Sequence, residues 1–382
     1  MAWCMAHAMC NPRQFCSLYN IHKEGRLNIP TVYELVALMN ERKASDLLLT
    51  CGSVPQMRIN GLFVPIENIR PLTPADTLRF ARNMLSESQI NRLENERSCD
   101  TSSYVEDVAR FRANLYYQRG SIAIAIRLIP FVIPAFEELG IPEIAKEFAM
   151  LPHGLVLLSG PAGSGKSTTL AAMIEHINSQ HNLHVVTIED PIEYMHTHRK
   201  SIIDQREIGN DARTFSEALR SVFRQSPDVI MVGEMRDLET ISLAITLAET
   251  GHLILGTLHT QDTTHAISRI VDVFPTNQQQ QVYTQLSMAL KGVIAQLLLP
   301  KADGSGRVLA CEVLNANNAV RNLIRERQLQ QLYSVIQSGR SSGMFTMNDS
   351  LIEMYYAGII SKEVALQHSP RPKELMNIIN RN

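Results

Sequence analysis

Apolar residues follow two rhythms along this chain, and the change falls between residues 130 and 153. Before it, Thr31-Val-Tyr-Glu34 has the form of a capping box: the threonine hydroxyl accepts from an early helix N–H and the glutamate reaches back. The helix it opens carries Leu35, Leu38 and Met39 on one face and ends near Lys43. "SDLLLTCGSVPQMRINGLFVPI" reads as short strands broken at Gly52, Pro55 and Asn60-Gly61, the last pair being a hairpin signal. A polar helix is expected from Ala75 to about Glu96. "VARFRANLYYQRGSIAIAIRLIP" alternates, with Ile122, Ile124 and Ile126 on one face, and predicts two strands joined at Arg119-Gly120. The first region is thus a small α+β domain, and Pro130, Pro134 and Pro142 mark the way out of it.

From His153 onward, short apolar runs alternate with helical stretches, the pattern of a parallel sheet in an α/β domain. The runs are Leu155–Leu158, Val185–Ile188, Val229–Val232 and Leu253–Leu258. Their carboxyl ends carry Ser159-Gly160, Glu189-Asp190, Gly233-Glu234 and His259, so polar chemistry collects at the edge where such sheets bind ligands. Between them, Thr214-Phe-Ser-Glu217 forms another capping box, and Leu238, Ile241, Ile245 and Ala248 form a core stripe. After Leu314 the chain reads as helical. The expected divisions are an extension over 1–28, a domain over 29–130, a linker over 131–152, an α/β core over 153–314 and a helical region over 315–382.

Composition narrows the function. A formal charge of −2 over 382 residues argues against a nucleic-acid or anionic-membrane binder. No apolar run reaches the roughly 18 residues of a membrane span, and no basic start followed by an apolar stretch suggests a signal peptide. The expectation is a cytoplasmic chain. Six cysteines, with Cys4, Cys10 and Cys16 evenly spaced, include no CxxC pair, so zinc is not expected. The stretch up to about Asn28 holds the only tryptophan and has no helical or strand period, and is expected to be disordered.

The chemistry is concentrated in "GPAGSGKST", which fits G-x-x-x-x-G-K-[ST] between an apolar strand and a helix. Gly160, Pro161, Ala162, Gly163, Ser164, Gly165, Lys166, Ser167 and Thr168 are therefore the candidate phosphate-binding loop for ATP. Its glycines let backbone N–H groups point inward, and the helix start adds partial positive charge. Lys166 is expected to reach the β- and γ-phosphates, and the Ser167 hydroxyl to ligate Mg²⁺. Hydrolysis needs a carboxylate to orient or deprotonate water. Glycine at position 233 stands where an aspartate would help hold the metal, so the metal shell leans on Glu189, directly or through water, or on Glu234. Glu234 is the first candidate base and Glu189 the second. His259 leaves its strand at the same edge as a candidate γ-phosphate sensor, whereas His252 reads as structural. Glu193 and Asp237 read as surface charge or helix caps.

"GPAGSGKSTTLAAMI", "TIEDPIEY", "DVIMVGEMRDLETI" and "AETGHLILGTLHT", in this order, resemble the Walker A, Asp box, Walker B and His box of the secretion and type IV pilus ATPase family. That family carries Gly-Glu in the third stretch, with the glutamate catalytic. The resemblance implies a RecA-like P-loop ATPase domain preceded by a PAS-like domain, assembled as a ring homo-hexamer with ATP between subunits. It also implies that strand-borne arginines of the first domain, here Arg110, Arg112 and Arg127, complete a neighbour's site. The alternative for these three is surface arginines on alternating strand positions.

Extension and secretion motors of the family usually carry a four-cysteine zinc insertion after the His box, and this chain has no cysteine between His259 and Cys311. "AVRNLIRE", "LYSVIQSG" and "GMFTMNDSL" resemble instead the tail of the retraction motors. Helical spacing there turns Leu323 and Ile324 inward and stacks Arg321 on Arg325. Ala162 departs from the threonine usual in that branch, and "LYYQRG" and the "PKADGSGR" hairpin look closer to an accessory retraction motor. The resemblance implies pilus retraction at the cytoplasmic face of the inner membrane. Its expected partners are an inner-membrane pilus platform protein and a second retraction ATPase.

Overall fold

The computed structural model describes residues 29–59, 62–105, 109–129 and 133–380. The chain divides into two compact units, one ending at Ile129 and one beginning at residue 130.

In the first unit, α1 (Val32–Glu41) opens on the predicted Thr31/Glu34 capping box and buries Val32, Leu35, Val36 and Met39. Strands β1 (Asp46–Leu49), β2 (Gln56–Ile59) and β3 (Leu62–Pro65) follow. The Asn60-Gly61 turn lies outside the described residues, while Ile59 pairs with Leu62 across it. The single helix expected over 75–96 is two helices, α2 (Pro74–Met84) and α3 (Glu87–Glu96). Ser86 and Gln89 make their own capping box, and that local start signal divides the stretch. Strands β4 (Ser98–Val105), β5 (Ala109–Gln118) and β6 (Ser121–Ile129) complete an antiparallel sheet ordered β3-β2-β1-β6-β5-β4. Arg119 and Gly120 both take positive φ, as a two-residue turn between twisted strands requires. Ile122, Ile124 and Ile126 lie in one core with Leu35, Met39 and Phe80.

The second unit begins with α4 (Phe136–Leu139) and α5 (Ile144–Ala149), then β7 (Gly154–Ser159), α6 (Lys166–Gln180), β8 (His184–Glu189) and β9 (Ile202–Glu207). Next come α7 (Phe215–Val222), β10 (Val229–Val232), α8 (Leu238–Glu249), β11 (Leu253–Leu258), α9 (Thr263–Asp272) and α10 (Thr276–Ala289). A hairpin of β12 (Leu290–Pro300) and β13 (Arg307–Asn315) precedes α11 (Asn318–Arg325), α12 (Leu332–Ser338), α13 (Met347–Tyr356), α14 (Lys362–His368) and α15 (Pro372–Ile379).

The sheet order is β13-β12-β7-β11-β10-β8-β9, parallel except for β13. Successive strand residues face opposite cores: Leu155, Leu157, Ile230 and Val232 join one, and Val156, Leu158, Val229 and Met231 the other. Burial on both faces is why these strands are apolar throughout. Thr214 caps α7 by accepting from Glu217 N, without the reciprocal bond of a full capping box. In the expected α8 stripe, Ile241, Ile245 and Ala248 are buried, but Leu238, at the first position of the helix, is exposed.

Among the described residues, Cys51, Cys99 and Cys311 are free thiols; Cys4, Cys10 and Cys16 lie outside them. No helix of the described chain is long and apolar enough to cross a membrane.

Candidate functional site

The loop from Gly160 to Gly165 leaves the carboxyl end of β7 and enters α6. Gly160, Gly163 and Gly165 have φ of 144°, 77° and 93°, a region that glycine enters without steric cost. At Gly160 a Cβ would also lie 2.4 Å from the Gln296 carbonyl oxygen. Pro161, Ala162 and Gly163 form the exposed tip, and Ser164 is buried. Lys166 is only 7% exposed. Its Nζ donates to the carbonyls of Gly160 (2.7 Å) and Pro161 (2.9 Å). Burial pulls the Lys166 pKa down, against the opposing pull of the Glu234 carboxylate. Ser167 exposes its side at the first turn of α6, and Thr168 Oγ1 lies 3.0 Å from Tyr194 Oη. Gln296 on β12 braces this turn by donating to Thr169 Oγ1 at 2.8 Å.

These groups fit a magnesium-bound triphosphate. A buried ammonium resting on loop carbonyls is short of anionic acceptors. Ser164 Oγ is buried with no hydrogen-bond partner among the described residues, which marks a polar position built for more than the loop itself. The Ser167 hydroxyl, exposed at the helix start, is a hard oxygen donor of the kind that suits Mg²⁺. A cavity of about 400 Å³ opens on the side of the loop tip walled by Leu298, Met347, His368 and Pro370; Lys166, Ser167, Glu234 and His259 do not line it.

Glycine at position 233 has a steric cause. A Cβ there would stand 3.1 Å from the Ile188 carbonyl oxygen and 3.3 Å from Glu189 Cα, while Gly233 N donates to that same carbonyl at 2.8 Å. The next residue, Glu234, places Oε1 2.9 Å from His259 Nε2 and also accepts from Arg236 Nε. Ser159 Oγ, donating to the Thr260 carbonyl at 2.6 Å, ties the His259 segment to the end of β7. The second acidic candidate is placed differently. Glu189 is 6% exposed. Its Oε1 accepts from Thr187 Oγ1 (2.7 Å) and Gln205 Nε2 (3.2 Å), and its Oε2 from Glu193 N (3.2 Å). Burial raises its pKa, and these donors oppose the rise.

Sequence reasoning missed Arg236 and Gln205. The signal for Arg236 was its position two residues after Glu234. Gln205 is legible only once β9 is paired with β8. Asp237 caps α8 through Thr240 N, and His252 Nδ1 lies 3.2 Å from the Leu247 carbonyl, a structural contact.

The three candidate arginines lie on β5 and β6 of the first unit. Cross-strand register sets Arg58, Asp46, Arg127, Arg112 and Ser102 in one row over five strands. Arg112 and Arg127 are directly opposite each other, an arrangement that repels unless an anion intervenes. Within the chain, Arg127 meets Asp46 at 2.8 Å and Arg112 meets Asp100 at 3.9 Å. Arg110, on the adjacent strand position pair, donates to Ser102 Oγ at 3.2 Å. In the tail helix α11, Ile324 is buried and Leu323 half-buried, while Arg321 is half-buried and Arg325 exposed.

Strand order, a glycine-bent loop after β7 and a lysine opening the following helix define a P-loop α/β protein. Residues 124–363 match the family model described as "Type II/IV secretion system protein", and the chain belongs to that family. It is 44% identical to the "Type IV pilus retractation ATPase PilT" of Pseudomonas aeruginosa, over 90% of this chain and 99% of that protein. It is 39% identical to the "Type IV pilus ATPase PilU" of the same organism, over 91% and 90% respectively. Among solved structures, the "Crystal Structure of the Pilus Retraction Motor PilT and Bound ADP" is 49% identical with a TM-score of 0.86, covering 91% of this chain and all of that one.

Proposed function

We propose that this chain is an Mg²⁺-dependent ATPase that powers type IV pilus retraction as a ring homo-hexamer. The observation that carries the catalytic reading is the meeting of the Lys166 loop and the Glu234–His259 pair at one sheet edge. The pilus reading is supported by the names of the relatives, the higher identity being to the retraction motor.

Loop N–H groups and Lys166 grip the phosphates, and Ser167 would hold the metal. Bound Mg²⁺ would supply charge neutralisation on the phosphates. Glu234 orients and deprotonates the attacking water. His259, in contact with Glu234, senses the γ-phosphate. Glu189, already engaged on both oxygens, is the carboxylate that would help hold the metal, directly or through water. Arg110, Arg112 and Arg127 serve a neighbour's nucleotide, where a desolvated arginine can speed phosphoryl transfer by roughly 10³- to 10⁵-fold. The motor works at the cytoplasmic face of the inner membrane on a platform protein, alongside a second retraction ATPase.

Steady-state ATP turnover of the purified chain tests this. Glu234→Gln should lower kcat by roughly 10²- to 10⁴-fold while the protein stays folded and binds nucleotide. Normal turnover in that variant removes Glu234 from the role of base.

A further inference from the structure

Residues 190–201 join β8 to β9 without helix or strand, yet polar side chains hold the segment on two sides. From α6, Asn178 Nδ2 donates to the Thr197 carbonyl (2.7 Å), and Asn178 Oδ1 accepts from Arg199 N (3.0 Å). Nearer the phosphate loop, Thr168 Oγ1 meets Tyr194 Oη. From β9, Gln205 makes three bonds. Its Nε2 donates to the Tyr194 carbonyl (2.7 Å) and to Glu189 Oε1 (3.2 Å), and its Oε1 accepts from His196 N (2.8 Å).

The chemistry of these partners selects an amide. A carbonyl and a carboxylate both need donors, and the His196 N–H needs an acceptor; a side-chain amide offers both from one planar group. Glu189 in turn lies against Gly233, where a Cβ would come within 3.8 Å of Glu189 Cγ. A continuous line of contacts therefore runs from Thr168 in the first turn of α6 through Tyr194, Gln205 and Glu189 to the residue before Glu234.

We infer that Gln205 is a positioning residue for hydrolysis: it sets the Glu189 carboxylate beside Gly233 and ties it, through Tyr194, to the first turn of the P-loop helix. This rests on the ATPase reading above. A merely structural Gln205 would lower stability and nucleotide affinity together. A positioning Gln205 lowers turnover at nearly constant affinity, because the phosphate-gripping groups are on another element.

The test uses the full chain with Gln205→Glu and Gln205→Met. The first keeps an acceptor for His196 N but sets an acceptor against the Tyr194 carbonyl and a second charge beside Glu189. The second keeps volume and removes every polar contact. Measured quantities are kcat and KM for ATP with Mg²⁺, and Kd for a non-hydrolysable ATP analogue. The expected result is a fall in kcat of roughly 10- to 100-fold, the scale seen when supporting partners of site ligands are removed, with KM and analogue Kd within about threefold of wild type. Wild-type kcat in either folded variant overturns the inference, as does an affinity loss as large as the loss of kcat, or failure of both variants to fold. A wild-type chain with no ATP turnover would instead overturn the ATPase reading on which the inference stands.

Discussion

At position 233 the backbone of β10 runs so close to β8 that a methyl group must displace the Ile188 carbonyl or the Glu189 backbone. Gly233→Ala is therefore expected to destabilise the fold by about 1–3 kcal/mol, the usual scale of overpacking. It should also lower kcat, because the displaced backbone carries Glu189 and the substituted residue directly precedes Glu234. Denaturant midpoints and turnover on the same preparations check this, and unchanged turnover would show that the spacing of the two carboxylates is not critical. The contrast with the phosphate loop shows which residues a sequence makes legible. Gly160 to Thr168 act through their own backbone and neighbours, so their pattern is visible in a nine-residue window. Gln205 and Gln296 act on residues 16 and 127 positions away, and nothing local to either marks a partner.

Burial made the four central runs legible, although β12 and β13, largely buried as well, were not read as strands. The four runs ending at Ser159, Glu189, Gly233 and His259 are apolar because both faces of the central sheet are covered. β4 and β9 went unread because their exposed positions break the apolar run: "SCDTSSYV" and "IIDQRE" each have few buried residues. Their partners, not their composition, make them strands. The segment between β8 and β9 carries its own pH signature. The His196 ring is buried, and burial lowers its pKa from 6.5 to about 4, even with Glu175 3.8 Å away. In this window the unfolded chain binds the proton more readily than the folded one. Stability from this residue is thus complete above about pH 6.5 and is lost as pH falls toward 4. Thermal unfolding of His196→Gln should show a shallower decline across pH 6.5 to 4 than wild type. Parallel curves would mean that the ring is not held neutral.

For the whole molecule, the family resemblance was legible because four separated motifs stand in one order on one sheet edge. The arginines stand apart from them, in the first unit, paired within the chain to Asp46, Asp100 and Ser102. In the proposed ring, a neighbour's nucleotide gives Arg112 and Arg127 an anion beyond the Asp100 and Asp46 carboxylates they meet within the chain. Hydrolysis then depends on how subunits are set against each other, which is what a motor requires. The most direct measurement replaces the chromosomal gene with the Glu234→Gln variant and scores surface pili together with twitching. Cells that keep or gain surface pili but no longer twitch are the predicted result. Bald cells would contradict the account and assign the chain to pilus extension.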